Sequence, residues 1–164
     1  MSERAQVRRI GIPIILVGIW GGLIPFVGPL FGFSMGAGGA WTWTATRAEL
    51  HVAPGIAASV GGFAVLFAVQ RSRRVAGGVL ALAAGLWFLA GPTVASATTS
   101  GRMMGHMMMK STGSAMAMSP LEAFGYHYGP GAIIAVLAAV AVGMSLYVAK
   151  QSAVPATATP RVNH

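Results

Sequence analysis

The sequence contains no cysteine, which excludes disulfide bonds, thiolate ligands for a metal and a cysteine nucleophile. Charge is also scarce: Asp, Glu, Lys and Arg together make up 9% of the chain, against about 25% in ordinary soluble domains. No phosphate-binding glycine loop, Ser–His–Asp arrangement or pair of neighbouring carboxylates is visible. These absences argue against a soluble domain and give no ground for predicting an enzyme.

Acidic residues are especially few, with three Asp and Glu against eleven Lys and Arg, so the net charge is +8. Such an excess can indicate nucleic-acid binding. Here, however, the basic residues stand at the ends of apolar segments and form no single patch. Membrane topology produces this distribution, because Lys and Arg stay on the cytoplasmic side. We therefore predict the lipid bilayer as a partner, and no nucleic acid.

Four long apolar segments account for much of the 55% hydrophobic content. Each is close to the length of about 20 residues that crosses a bilayer as a helix. The predicted spans are 10–33, 51–70, 75–97 and 130–149. No ionisable residue lies in the middle of a span, which argues against an ion-coupled transporter, since such proteins keep one there. The predicted fold class is an all-α membrane protein with four transmembrane helices.

Two sequence patterns occur twice, each time in the same order. Gly-Ile-Trp at 18–20 and Gly-Leu-Trp at 85–87 are each followed, after four further residues, by proline. His-x-x-Pro-Gly then begins at His51 and again at His127. The chain is therefore interpreted as one two-helix unit written twice. Because each unit crosses out and back, the two repeats are predicted to be parallel.

The distribution of basic residues predicts the orientation in the membrane. With both termini inside, eight Lys and Arg fall on the inner side (Arg4, Arg8, Arg9, Arg71, Arg73, Arg74, Lys150 and Arg161) and three on the outer side (Arg47, Arg102 and Lys110). This excess on the inner side predicts an N-in/C-in protein of a bacterial-type cytoplasmic membrane, with both long loops extracytoplasmic. The predicted organisation is a cytoplasmic N-terminus 1–9, a first repeat 10–70 with outer loop 34–50, a basic turn 71–74, a second repeat 75–149 with a Met-rich outer loop 97–128, and a disordered cytoplasmic tail 150–164.

The Gly-Leu-Trp-x-x-x-x-Pro pattern, with the aromatic Phe26 directly after Pro25 in the other copy, resembles the SPW-repeat membrane proteins. Those proteins have the same two-helix unit, with Ser-Pro-Trp near the end of its first helix. The tripeptide itself is absent here, because Ile24 or Gly91 stands for the Ser, and Phe26 or Thr93 for the Trp. The resemblance covers most of residues 10–149 and implies a small integral membrane protein with no assigned chemistry.

A methionine-rich segment is the first candidate site. Seven of the ten methionines lie within 16 residues, together with one histidine: Met103, Met104, His106, Met107, Met108, Met109, Met116 and Met118. Thioether and imidazole groups suit Cu(I), so these side chains are candidate copper ligands. Alternatively, the methionines form the apolar face of an interfacial helix or an adaptable surface for a partner.

The repeated histidines are the second candidate site. His51 and His127 occupy equivalent places, each predicted at the start of a returning helix at the outer membrane surface, and they can face each other across a pseudo-twofold axis. Glu49 and Glu122 are close to them in sequence. Such a set is suited to a divalent metal, to copper or to haem iron. Alternatively, the histidines are interfacial cap residues, and the carboxylates interact with helix dipoles.

These observations lead to two predicted functions. The first is a non-enzymatic accessory or scaffold subunit of a larger membrane complex, which contacts other membrane-protein subunits and binds copper(I) through its extracytoplasmic Met/His loop. The alternative is a metal- or haem-binding membrane redox protein that uses His51 and His127 as ligands. Copper is the cofactor that the sequence suggests, and otherwise none is predicted.

Overall fold

A computed structural model describes residues 3–33, 39–103 and 120–152. The described chain is almost entirely helical and contains no strand in those ranges. Four helices are long and apolar enough to cross a membrane, and we call them the first to fourth spans. They are Ala5–Phe31, Ala45–Phe67, Arg71–Ala95 and Pro120–Tyr147. The predicted all-α, four-helix membrane fold is confirmed.

Four long helices form the body of these spans. They are α1 (Glu3–Val27), α2 (Ala53–Phe67), α3 (Arg71–Met103) and α4 (Gly129–Ser152). A 3₁₀ turn at Gly28–Phe31 follows α1. The helical turn Ala45–Arg47 and a π-helical turn at Ala48–Val52 lead directly into α2, and Pro120–Ala123 with a π-helical turn at Phe124–Tyr128 lead into α4. The same succession of elements thus precedes both returning helices.

The helices extend further than the sequence predicts. In the predicted loop 97–128, α3 continues to Met103 and the fourth span already begins at Pro120. The predicted loop 34–50 is helical from Ala45 onward, and α4 reaches Ser152, inside the predicted disordered tail. The predicted boundaries were placed where each run of apolar residues ends. A helix ends where its backbone hydrogen bonds end. Once the helix has formed, extending it by one residue costs much less free energy than starting it.

The spans form a closed ring around one core. Each packs against the next along the chain, and the first also packs against the fourth, which leaves the second and fourth diagonally opposite. The core includes Ile14, Ala58, Ala81 and Ile134, one from each span. The first and third spans both finish at one end of the bundle, which we call the loop end. We call the opposite end, where α2 is followed by α3, the basic end.

Glycine pairs bring the two helices of each half into close contact. A Cβ added to Gly55 would lie 2.8 Å from the carbonyl oxygen of Gly18, and one added to Gly131 would lie 3.0 Å from that of Gly85. A side chain on Gly55 would collide with the backbone, because real Cβ atoms are essentially never found closer than 3.0 Å, and one on Gly131 would force its neighbours to shift. All four residues belong to the two repeated patterns, so equivalent glycines make the same contact in both halves.

Arginines hold the basic end together. Arg8 Nε donates a hydrogen bond to the carbonyl oxygen of Leu66 at 2.7 Å, and Arg74 Nη2 donates to that of Ala68 at 2.9 Å. Both acceptors lie at the C-terminal end of α2, where carbonyls lack helical partners and the helix dipole favours a cation. The basic residues therefore cap a helix end as well as marking one side of the bundle.

Candidate metal centre

His51 and His127 lie in the two π-helical turns, each as the fourth of five residues. A proline follows three residues later in both cases, at Pro54 and Pro130. Proline has no N–H to donate, and its ring crowds the carbonyl four residues earlier. A wider π turn before the proline relieves this crowding without ending the helix, and such turns are frequent at functional sites. The repeated His-x-x-Pro-Gly pattern therefore specifies a local backbone geometry.

The two imidazole rings meet inside the bundle. Their centroids are 4.5 Å apart and their planes are inclined by 44°. His51 is 0% exposed and His127 is 4% exposed. The sequence predicted that the two histidines start the returning helices, and this part of the prediction is wrong. Each histidine lies within a continuous helical segment and points into the bundle, because the helix begins upstream of the π turn.

Two aromatic residues that the sequence did not single out enclose the pair. The Phe88 ring meets the His51 ring edge-on at 6.3 Å between centroids, and the Tyr126 ring does so at 5.9 Å. The Tyr126 hydroxyl donates a hydrogen bond to the carbonyl oxygen of Phe33 at 2.5 Å. Both rings are fully buried. The sequence could have indicated both residues, because Phe88 directly follows Trp87 and Tyr126 directly precedes His127 in the repeated patterns.

The buried ring nitrogens of this pair are the unsatisfied polar atoms of the site. Nδ1 and Nε2 of His51 and Nδ1 of His127 have no hydrogen-bond partner within residues 3–33, 39–103 and 120–152. A neutral imidazole has one N–H donor and one acceptor nitrogen. Leaving either unsatisfied in a protein interior costs about 1–3 kcal/mol. Buried polar atoms are therefore usually satisfied, and here three of them lie in one small volume.

The neighbouring carboxylates do not join the histidines. Glu49 is exposed, and Glu122 is partly buried. Among the described residues, no group of three or more His, Asp and Glu side chains is arranged to hold a metal ion. The prediction of a four-residue His/Glu set is therefore not realised. Glu49 is two residues from His51 on a helical segment, and residues at that spacing do not face the same way.

The backbone of Glu49 has a different part in the site. Its carbonyl oxygen accepts a hydrogen bond from Trp87 Nε1 at 3.0 Å. This bond ties the first π turn to the third span, so the tryptophan of the second repeated pattern helps to place His51. Met103 is the last residue of α3. The other candidate ligands of the methionine-rich segment lie outside the described residues: Met104, His106, Met107, Met108, Met109, Met116 and Met118.

A buried cation lies one helical turn before His51. Arg47 is 3% exposed, and its Nη1 donates to the carbonyl oxygen of Thr42 at 2.6 Å and to that of Gly39 at 3.2 Å. The guanidinium also lies over the Phe26 ring, 5.9 Å from its centroid. The Arg47 charge is therefore stabilised by carbonyl dipoles and by an aromatic face.

The spacing of the rings restricts how they can share an ion. A metal–nitrogen bond of about 2.0–2.1 Å places the ion about 3.2 Å from the centroid of the imidazole that binds it. Two imidazoles on opposite sides of one ion then have centroids about 6.4 Å apart, and two at a right angle about 4.5 Å apart. The observed separation of 4.5 Å fits two ligands at roughly a right angle on one ion.

Comparisons with protein-family models, with curated proteins and with solved structures each gave no match to this chain.

Proposed function

We propose that this protein is an integral membrane metal-binding protein whose His51 and His127 hold one copper ion. The observation that supports it is the contact of two buried imidazoles, 4.5 Å apart, with three ring nitrogens that have no partner in the described chain. A bound ion would satisfy two of these nitrogens and would explain why an apolar bundle keeps two histidines in its interior.

The geometry favours a metal ion over the haem that the sequence analysis also allowed. Two histidines that bind a haem iron from opposite faces need ring centroids about 6.4 Å apart, with the porphyrin plane between them. The pair is closer than this, and Phe88 fills the space beside it. Toward the basic end the bundle is filled by Ala84, Ala81 and Ile134. The packed core therefore closes the bundle on that side of the pair, which suits binding better than passage across the membrane.

Three considerations favour copper among metals. Imidazole is a good copper ligand, whereas Mg²⁺ and Ca²⁺ need oxygen ligands. Zinc prefers three or four protein ligands, and the described chain offers two. The buried Arg47 opposes a divalent ion twice as strongly as a monovalent one, because Coulomb repulsion is proportional to charge. Monovalent copper agrees with these considerations if a further ligand joins the two imidazoles, because two ligands alone bind Cu(I) in a straight line. The same sequence contains a methionine-rich segment with soft sulfur ligands.

The accessory-subunit role, the copper(I) site in the methionine-rich loop, the extracytoplasmic location of that loop and the kinship with SPW-repeat proteins stay predictions of the sequence. They are compatible with a metal site at the histidine pair. A membrane subunit that holds copper at its loop end and contacts other subunits is one coherent version of the proposal.

Metal binding to single-residue variants tests the proposal. The full chain, purified in mild detergent without oxygen, is titrated with Cu(I) against a competing chelator, and with Zn²⁺ in parallel. Apart from any sulfur-bound Cu(I) in the methionine-rich segment, we expect one Cu(I) per chain that has two nitrogen ligands in X-ray absorption spectra. His51→Leu and His127→Leu should each weaken this binding by about 100-fold or more, because each removes one of two protein ligands.

His106→Leu is the matched control, because it removes a histidine that is not part of the pair. It should leave the nitrogen-bound ion in place. If the double variant His51→Leu/His127→Leu binds copper as tightly as the original chain, the pair is not the metal site. An original chain that binds no Cu(I) refutes the proposed function itself.

A further inference from the structure

An open apolar groove runs between α1 and α2 on the lipid-facing side of the bundle, near the loop end. We call it the α1–α2 groove. Its volume is about 650 Å³, within the range of about 300–1,000 Å³ typical of ligand sites. Its walls include Gly18, Gly22 and Gly55, with Phe63 further along and Trp41 at the rim. Because three of these residues are glycines, which have no side chain, part of the groove wall consists of helix backbone.

A structured loop covers one end of this groove. Trp41 has a positive φ of 60°, which is uncommon for a residue with a side chain, and its N–H donates to the carbonyl oxygen of Phe26 at 3.2 Å. The rings of Trp41 and Trp43 stack against Phe26 at centroid distances of 6.2 and 5.8 Å. The Arg47 bonds described above hold the same loop. Two indole rings are thus fixed at the rim, where a lipid headgroup region is expected.

The second half of the chain fills the equivalent place. Gly22 stands two residues after Trp20, and Leu89 stands two residues after Trp87. The Cγ atom of Leu89 lies 2.9 Å from the position of a Cβ on Gly131, so its side chain packs directly against that glycine. A Cβ on Gly22 would instead meet Gly55 Cα and the His51 carbonyl oxygen at 3.7 Å, which is ordinary contact. The first half therefore has space beside Gly22, whereas in the second half the side chain of Leu89 fills the equivalent space.

The lining selects an apolar occupant. The Ser59 hydroxyl donates to the Gly55 carbonyl oxygen at 2.8 Å, so the polar side chain of the groove is already bonded. The groove lies within the first two spans, at the depth of hydrocarbon tails. We propose that the α1–α2 groove binds one acyl chain of a membrane phospholipid, with the headgroup beside Trp41 and Trp43. This site is independent of the histidine pair.

Gly22→Leu tests the proposal, because it places in the groove the residue that fills the equivalent site of the second half. Gly143→Leu is the matched control, since a Cβ on Gly143 meets nothing within 4 Å. The full chain is purified in detergent, delipidated and analysed by native mass spectrometry. We expect one retained phospholipid per chain in the original protein and in Gly143→Leu, and a several-fold lower occupancy in Gly22→Leu.

A phospholipid with a diazirine in one acyl chain gives a second readout. Cross-links in the original protein should fall several-fold more often on residues 52–63 than on the equivalent residues 128–139, and Gly22→Leu should remove the difference. Equal labelling of the two segments, or unchanged lipid retention in Gly22→Leu, would overturn the proposal. A Gly22→Leu protein that keeps its lipid but changes its oligomeric state would show that a protein helix occupies the groove.

Discussion

A side chain on Gly21 would collide with the Phe88 ring, because a Cβ at Gly21 would lie 2.7 Å from Phe88 Cζ. The two residues directly follow Trp20 and Trp87, so they hold equivalent positions in the repeated patterns. Phe88 is fully buried in the core, and interiors are packed too densely to hold a second ring at the same place. The two halves share their pattern and differ here in a complementary way.

Exchanging this pair of residues tests that complementarity. Gly21→Phe alone should destabilise the protein by about 1–3 kcal/mol through overpacking, and Phe88→Gly alone by at least about 3 kcal/mol through the cavity it leaves. The exchange variant Gly21→Phe/Phe88→Gly should recover much of the lost stability, since a single ring again occupies the space between the two positions. Unfolding in mixed detergent micelles measures this. Strictly additive losses would contradict the shared space.

The glycine contacts of the two halves should respond alike. Gly55→Val and Gly131→Val each place a side chain against a backbone oxygen 2.8–3.0 Å away, and each should destabilise the bundle by about 1–3 kcal/mol. Gly143→Ala is the control and should be neutral or stabilising by up to about 1 kcal/mol. Thermal unfolding in detergent measures all three. A large loss for one contact and none for the other would argue against equivalent halves.

Removing the Tyr126 hydroxyl should affect both stability and metal binding. Tyr126→Phe deletes the hydrogen bond to Phe33 and should cost about 0.5–1.5 kcal/mol. Because Tyr126 precedes His127 and packs against His51, the loss should also weaken Cu(I) binding. Tyr128→Phe changes an exposed residue two positions later and serves as the control. Unchanged copper affinity in Tyr126→Phe would show that this residue does not position the pair.

Copper bound by sulfur can be separated from copper bound by nitrogen. Replacing Met104, Met107 and Met109 with Leu keeps side-chain bulk and removes the soft ligands. We expect X-ray absorption of the copper-loaded protein to lose copper–sulfur scattering and to keep two nitrogen ligands. Loss of both signals would show that the methionine-rich segment and the histidines form one site. An unchanged sulfur signal would contradict the predicted loop site.

Reporter fusions test the predicted orientation. A reporter that is active only outside the cytoplasm should be silent when fused after Lys150 and active when inserted near Ser111, as the excess of inner basic residues predicts. The reverse pattern would place the histidine pair at the cytoplasmic end and would require a cytoplasmic source for its metal.

The candidate site was predictable in part. The repetition of His-x-x-Pro-Gly identified His51 and His127 as an equivalent pair, because repeated sequence on repeated helices occupies related positions. Glu49 was assigned to the site from its closeness in sequence. That inference failed because residues 45–52 are helical, and spacing along a helix then decides which side chains face each other. The helical spacing was missed because residues 34–50 were assigned to a loop, whereas the helix continues through polar residues beyond its apolar part.

The sequence alone determined the four apolar helices, the repeated patterns and the scarcity of charge, because these are properties of chain segments and need no knowledge of how the segments meet. Only the tertiary structure decided that the imidazoles of His51 and His127 lie 4.5 Å apart and that Phe88 fills the space left by Gly21. Such contacts depend on the rotation of each helix about its own axis. Each π turn inserts an extra residue and so shifts that rotation by about 100°, which a regular helical count does not include.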